Sequence, residues 1–198
     1  MDNLKRVCVF CASSPEIDPV YFDAAGRLAR ILVAHGIAVN YGGGGKGLMG
    51  HLADTMLSAG GSIRGYIPAF MKEMEWQHDK VDSMVTVRDM HERKYLMRKD
   101  SDAIIALPGG VGTLEELMEV ITLKQLGKYL KPIIIINTSG FYTPLIELMK
   151  RMIDMKFMRD VHIDLWQVVS EPEEVMDAIK NAPVWDAGAI KFAAVGRH

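Results

Sequence analysis

Apolar residues in this chain follow two rhythms. Runs such as RVCVF, DAIIAL and PIIII are short and nearly continuous, whereas the longer segments between them repeat their apolar positions every three or four residues. The first rhythm predicts strands at 6–10, 37–41, 62–67, 84–87, 102–107, 132–136 and 165–169, and the second predicts helices at 19–35, 48–59, 89–99, 114–126, 141–155 and 172–181. Strands that are apolar throughout belong in a sheet covered on both faces, and their alternation with helices implies right-handed crossovers. The expected fold is α/β, a mostly parallel, doubly wound sheet with ligands beyond the carboxyl ends of its strands. No repeat, low-complexity tract or linker divides the chain. Residues 1–182 read as one domain and 183–198 as a tail without period, either poorly ordered or docked.

Three predicted strands end in unusual loops, CASSP at 11–15, YGGGGKGLMG at 41–50 and LPGGVGT at 107–113. A parallel sheet brings all three to the same side. Glycines let backbone N–H groups approach a ligand, and a following helix N-terminus adds partial positive charge, so both later loops favour phosphate. The second contains G-x-G-x-x-G in Gly42, Gly44 and Gly47, but it follows the second strand, not the first, and Lys46 precedes Gly47 where a Walker loop needs Ser or Thr. A tight strand-to-helix turn is the other reading of that loop. The third continues into Thr113-Leu-Glu-Glu116, which fits a capping box in which Glu116 reaches back to the backbone and Glu115 only favours the first turn. Spacing by itself favours the cap.

With 198 residues, 49% of them hydrophobic, the chain suffices for one substantial core, and a formal charge of -2 gives no broad electrostatic footprint for nucleic acid polymers or anionic membranes. The N-terminal apolar run is too short for a secretory signal and no window approaches a membrane span, so the expectation is a soluble cytoplasmic protein. Cys8 and Cys11 form a C-x-x-C inside a predicted strand, where positions three apart face opposite sides; that argues against redox or zinc chemistry. The six histidines show no strong ligand spacing, so neither a metal nor a cofactor is expected. Asn137-Thr138-Ser139 reads as a strand-end turn. Met71, Met74, Met149, Met152 and Met155 read as core or subunit contacts.

The segment DMHERKYLMRK alters the balance at the third loop. Met90, Arg93, Lys94 and Met97 share one helical stripe, mixing apolar and cationic residues. One reading is a solvated helix whose cations snorkel past methionines. The other is that this helix lies beside the third loop, one strand away, and aims Arg93 and Lys94 into the same cleft.

Together, VCVFCASSP, YGGGGKGLMG, MHERK, LPGGVGTLEE and TLKQLGKYLKPIIIIN resemble the Lonely Guy (LOG) proteins over nearly the whole chain. These are cytokinin riboside 5'-monophosphate phosphoribohydrolases, long labelled possible lysine decarboxylases. The resemblance implies a Rossmann-like fold, a homodimer or assembly of dimers, and hydrolysis of a purine nucleoside 5'-monophosphate to free base and ribose 5-phosphate. Carried onto matching positions, it implies Arg93 and Glu116 as the catalytic pair, with nucleotide contacts from Glu75, Arg93, Lys94, Gly110, Val111, Gly112, Thr113, Leu114, Glu115, Glu116 and Thr122. Glu75 rests only on E-x-x-H in EWQH. Ala12 and Leu123 depart from the usual Gly and Trp of the family. On this reading Gly110–Thr113 hold the 5'-phosphate and Glu116, one turn on, meets the ribose, with Arg93 pairing bidentately with Glu116, contacting the phosphate, or both. The rivals are a nucleotide or cofactor carrier without chemistry, and a pyridoxal phosphate decarboxylase using Lys46, Lys94 or Lys124.

Overall fold

A computed structural model describes residues 4–74 and 76–192. Seven strands, β1 (Arg6–Phe10), β2 (Ala38–Tyr41), β3 (Ile63–Pro68), β4 (Met84–Val87), β5 (Ala103–Ala106), β6 (Ile133–Ile136) and β7 (Gln167–Val169), form one sheet in the order β4-β3-β2-β1-β5-β6-β7. Every pairing is parallel, so the sheet is wholly rather than mostly so. The helices are α1 (Pro19–Ala34), α2 (Gly47–Ser58), α3 (Ala69–Glu73), α4 (Met90–Lys99), α5 (Val111–Gln125), α6 (Thr143–Asp154) and α7 (Val175–Lys180). The chain winds outward from β1 to β4, returns along α4 and continues from β5 on the other side of β1. The switch point therefore lies between β1 and β5.

Period-two burial explains why β1 is apolar throughout. Val7 and Val9 enter a core with Leu28 and Leu32 of α1 and Leu48, Leu52 and Met56 of α2; Cys8 and Phe10 enter the opposite core with Met97 of α4, Leu117 and Val120 of α5 and Met149 of α6. Cys11 joins the first core, so the two cysteines do face opposite sides of the sheet, and burial pushes both thiols above the usual cysteine range.

Local chemistry sets the ends of the elements. Asp18 accepts the N–H of Val20 at the start of α1, and Asp89 accepts that of Glu92 at the start of α4. Asn137 takes the backbone N–H of Tyr142 at 2.6 Å and donates to Thr143 at 3.1 Å, which makes Asn137-Thr138-Ser139 a turn into α6. The five-residue α3 has too few positions for a readable period, and Pro172–Glu174 turns as a 3₁₀ segment ahead of the shorter α7. Of the methionines read as contacts, Met149 is buried while Met74 and Met155 stand exposed. In the tail, the indole N–H of Trp185 donates to the carbonyl of Lys124 at 2.8 Å, and a 3₁₀ turn runs over Ala187–Phe192.

Candidate active site

At the switch point the ends of β1, β2 and β3 meet the N-terminal part of α5, and Arg93 ties the ends of β2 and β3 to that helix. Its Nε–H donates to the Tyr66 carbonyl at 3.0 Å, one Nη2–H to the Gly42 carbonyl at 3.0 Å, and one Nη1–H to Oε1 of Glu116 at 3.1 Å. Five N–H donors in a rigid fork allow this three-way attachment with two still unused. The pair is monodentate, and the other two bonded donors go to backbone carbonyls at the ends of β2 and β3. Gly42 is required by contact: a Cβ there would fall 2.0 Å from Nη2 of Arg93. One glycine of the second loop thus serves the arginine.

Arg93 and Glu116 are both buried, at 7% and 8% exposure. Burial pushes the Glu116 carboxyl above the ordinary carboxylate range; the Arg93 guanidinium pulls it back, Glu115 and Glu119 push it up, and Lys94 draws it down.

The two phosphate-like loops separate on geometry. At α2 the amide of Met49 donates to the Ala12 carbonyl, and a Cβ on Gly47 would strike the backbone of Ser13 at 2.5 Å, so the first loop lies across the start of that helix. At α5 the Gly110 cap carries no side-chain hydrogen bond, the space beside Gly110 and Gly112 is open, and Val111 is 84% exposed. The start of α5 is therefore an anion site open to a ligand, whereas that of α2 is a closed turn.

The capping box does not form. Helix α5 begins at Val111 with Gly110 as its cap, which places Thr113 at the third helical position, its side chain against Gly109, where a Cβ would meet Oγ1 at 2.2 Å. Gly112 tolerates the helix interior that a glycine-rich loop concealed, and Glu116 turns from the backbone to Arg93.

The cleft has two adjoining lobes sharing Ser13, Gly42, Met49 and Arg93. A lobe of about 230 Å³ adds Cys11, Ala12, Gly110, Val111, Gly112, Thr113 and Glu116. The other, about 240 Å³, adds Gly44, Lys46, Ile67, Met71 and Trp76. Lys94, one residue past Arg93, points elsewhere: its amine binds Glu115, and Glu119 at 2.8 Å, on the flank of α5, while Arg98 reaches Glu119 at 3.3 Å. A helix turns about 100° per residue, which carries the Lys94 side chain round α4 and away from the cleft that Arg93 enters. Lys94 and Glu115 thus line neither lobe, nor does Leu114, and exposed Thr122 donates its hydroxyl to the Met118 carbonyl at 2.8 Å. Glu75 lies outside the described residues. Sequence reasoning missed Ser13, Met49, Ile67 and Trp76, which sit on separate elements and carry no pattern of their own.

Residues 49–179 match the family described as "possible lysine decarboxylase". The chain is 42% identical over 204 residues to a cytokinin riboside 5'-monophosphate phosphoribohydrolase of Arabidopsis thaliana, covering 98% of this chain and 96% of that one. It is 40% identical over 179 residues to a probable enzyme of the same name from Oryza sativa subsp. japonica, covering 90% and 73%. The chain belongs to this family. Among solved structures, the molybdenum cofactor carrier protein of Chlamydomonas reinhardtii matches with a TM-score of 0.70 at 18% identity, over 90% of this chain and 97% of that one. A molybdenum cofactor binding protein of Rippkaea orientalis matches at 0.67 and 22%, over 91% and 98%. Identities this low establish the shared Rossmann-like fold and nothing about the ligand. Among the described residues, no helix is long and apolar enough to cross a membrane, and no group of three or more His, Cys, Asp or Glu gathers in metal-holding geometry.

Proposed function

We propose that the protein is a nucleotide N-glycosidase that hydrolyses purine nucleoside 5'-monophosphates to free base and ribose 5-phosphate. The observation that carries this reading is the buried Arg93–Glu116 pair one helical turn from an unblocked helix N-terminus, in a chain whose relatives are phosphoribohydrolases. In the proposed arrangement the 5'-phosphate sits on the amides of Gly110, Val111, Gly112 and Thr113. Glu116 then faces the ribose.

Breaking the C1'–N9 bond builds positive charge on C1' and O4', and a carboxylate held at that position stabilises it. Water attacks C1', its oxygen forming the new bond. One of its protons leaves and the departing base gains one, so the products are neutral base and ribose 5-phosphate. Arg93 holds the carboxylate in place by a fixed donor and offers its two remaining N–H groups to substrate. Desolvation strengthens each of these interactions.

The decarboxylase label gains no support from the lysines. Lys46 is exposed at the cleft rim, Lys94 is engaged by two carboxylates, and Lys124 is buried on the far side of α5. AMP is the simplest substrate this scheme accepts. A homodimer in the cytoplasm completes the proposal: Thr122, about 9 Å along α5 beyond Glu116 by helical rise, would serve the nucleotide of a second subunit rather than its own.

The deciding assay measures free base released from a panel of nucleoside monophosphates, with the nucleosides and triphosphates as controls. Preference for the monophosphate is expected. Equal turnover of the nucleoside would remove the phosphate cradle from the scheme, and tight AMP binding with no base released would favour a carrier.

A further inference from the structure

Hydrolysis of an N-glycosidic bond delivers a proton to the departing base, and the Arg93–Glu116 pair cannot supply it. An ionised carboxylate only accepts, and a guanidinium holds its protons. In the proposed arrangement phosphate and ribose occupy the lobe of Gly110 and Glu116, which leaves the apolar lobe of Ile67, Met71 and Trp76 for the base. The scissile bond then spans the waist between the lobes, so a donor to the leaving group has to stand there.

Ser13, Gly42, Met49 and Arg93 line both lobes and form that waist. Gly42 contributes a carbonyl already bound to Arg93, and Met49 a thioether. Of the four, only Ser13 carries a side-chain group that can both give a proton and take one. Its backbone is braced from two sides. The Ala12 amide donates to the Pro108 carbonyl at 3.1 Å, the Met49 amide donates to the Ala12 carbonyl at 3.2 Å, and a Cβ on Gly47 would fall 2.5 Å from the Ser13 carbonyl carbon. The side chain itself is exposed, and among the described residues no hydrogen bond occupies its hydroxyl. Ser14 differs: its Oγ accepts the Glu16 amide at 3.3 Å in the turn before α1, and it lines neither lobe. An uncommitted hydroxyl on a braced loop is a preorganised donor.

Resting on the hydrolase reading above, we propose that Ser13 is a catalytic residue that protonates the departing base. As the C1'–N9 bond breaks, its electron pair passes into the purine and the Ser13 hydroxyl gives its proton to a ring nitrogen. Oγ takes a proton back from a solvent water. The hydroxide so formed is neutralised by the proton that the attacking water releases on bonding to C1', so protons and charge balance. The rival donor is the ammonium of Lys46, which lines the apolar lobe but not the waist.

The test compares two substrates on the full-length protein: AMP, whose adenine needs a proton to leave, and p-nitrophenyl ribofuranoside 5-phosphate, whose nitrophenolate leaves without one. Ser13→Ala is expected to lower kcat for AMP about 10²-fold, the low end of what a positioned proton donor contributes, with KM and the nitrophenyl kcat within about threefold of the parent. Ser13→Thr keeps a hydroxyl and should retain most of the AMP turnover, whereas the isosteric Ser13→Val should not. Equal losses on both substrates, as a purely structural role predicts, would overturn the proposal. So would an unchanged kcat for AMP in Ser13→Ala, equal activity of the Thr and Val variants, or a loss confined to AMP in Lys46→Met instead. If the unaltered protein releases neither adenine nor nitrophenolate, the hydrolase reading fails and this assignment with it.

Discussion

Nη1 of Arg93 and Oε1 of Glu116 lie 3.1 Å apart, joining the middle of α4 to the second turn of α5 across 23 residues of chain. Because Arg93 also binds the carbonyls of Gly42 and Tyr66, the carboxylate is positioned against the rigid ends of β2 and β3 and not by a flexible loop. The relation converts two helices and two strands into one preorganised site.

Glu116→Gln keeps the shape and removes the charge. Turnover is expected to fall about 10²–10³-fold, the scale of losing one preorganised electrostatic contact in an active site, with a much smaller change in nucleotide affinity. Steady-state kinetics beside a binding titration checks this. A variant with near-native kcat would strip Glu116 of its catalytic assignment.

Gly42→Ala puts a methyl 2.0 Å from Nη2 of Arg93, so the guanidinium must move. Activity is expected to drop at least tenfold although Gly42 itself donates no side chain. Arg93→Ala goes further, because it leaves a buried carboxylate and two carbonyls without their donor; about 3–5 kcal/mol of stability should be lost. Chemical denaturation curves for the two variants should therefore differ sharply.

In the proposed mechanism ionised Glu116 is the working form, so activity is expected to fall as pH drops through its pKa. Burial places that acid limb above the ordinary carboxylate range. Lys94 draws the carboxyl down, so Lys94→Met is expected to move the limb to higher pH. A pH profile of kcat/KM that shifts the other way, or stays fixed, would show that another group controls the limb.

Lys124 is 1% exposed on α5, and burial lowers its amine from 10.5 to about 8, with Asp164 opposing. An unfolded lysine keeps its proton up to 10.5, so between about 8 and 10.5 the unfolded state binds more protons and stability rises with pH. Below about pH 8 the buried charge costs its full amount. Lys124→Met is expected to stabilise the protein by roughly 2 kcal/mol at about pH 7, taking about 1.4 kcal/mol for each tenfold change in proton affinity and discounting for relaxation around the charge. The advantage should vanish above pH 10.5, where both states have lost the proton. Thermal melts across that range read it directly.

Much of the fold was legible because buried parallel strands leave continuous apolar runs: all seven strands lie where those runs fall, with each end within two residues of its expected place. The start of α5 was not legible, since Gly109, Gly110 and Gly112 signal a turn whether or not the chain has already become helical. Helix α3 was too short to show a period. The candidate pair was visible only through the motifs it shares with a family, because Arg93 and Glu116 have no sequence relation of their own. Lys94 and Glu115 look like members of the same pair from the sequence, yet each lies one helical step round from its neighbour.

Local chemistry written in the sequence determined the element types, the doubly wound alternation, the two-sided core and the gathering of three loops at one end of the sheet. Those follow from backbone sterics and from hydrophobic period, which act over a few residues. Tertiary structure decided which glycine loop stays open to an anion, where the Arg93 guanidinium spends its donors, which charges the cleft keeps and which pair off along α4 and α5, and that Trp76 walls the apolar lobe. Each of those depends on distances between residues far apart in the chain, and such distances exist only once the sheet has brought its strand ends together.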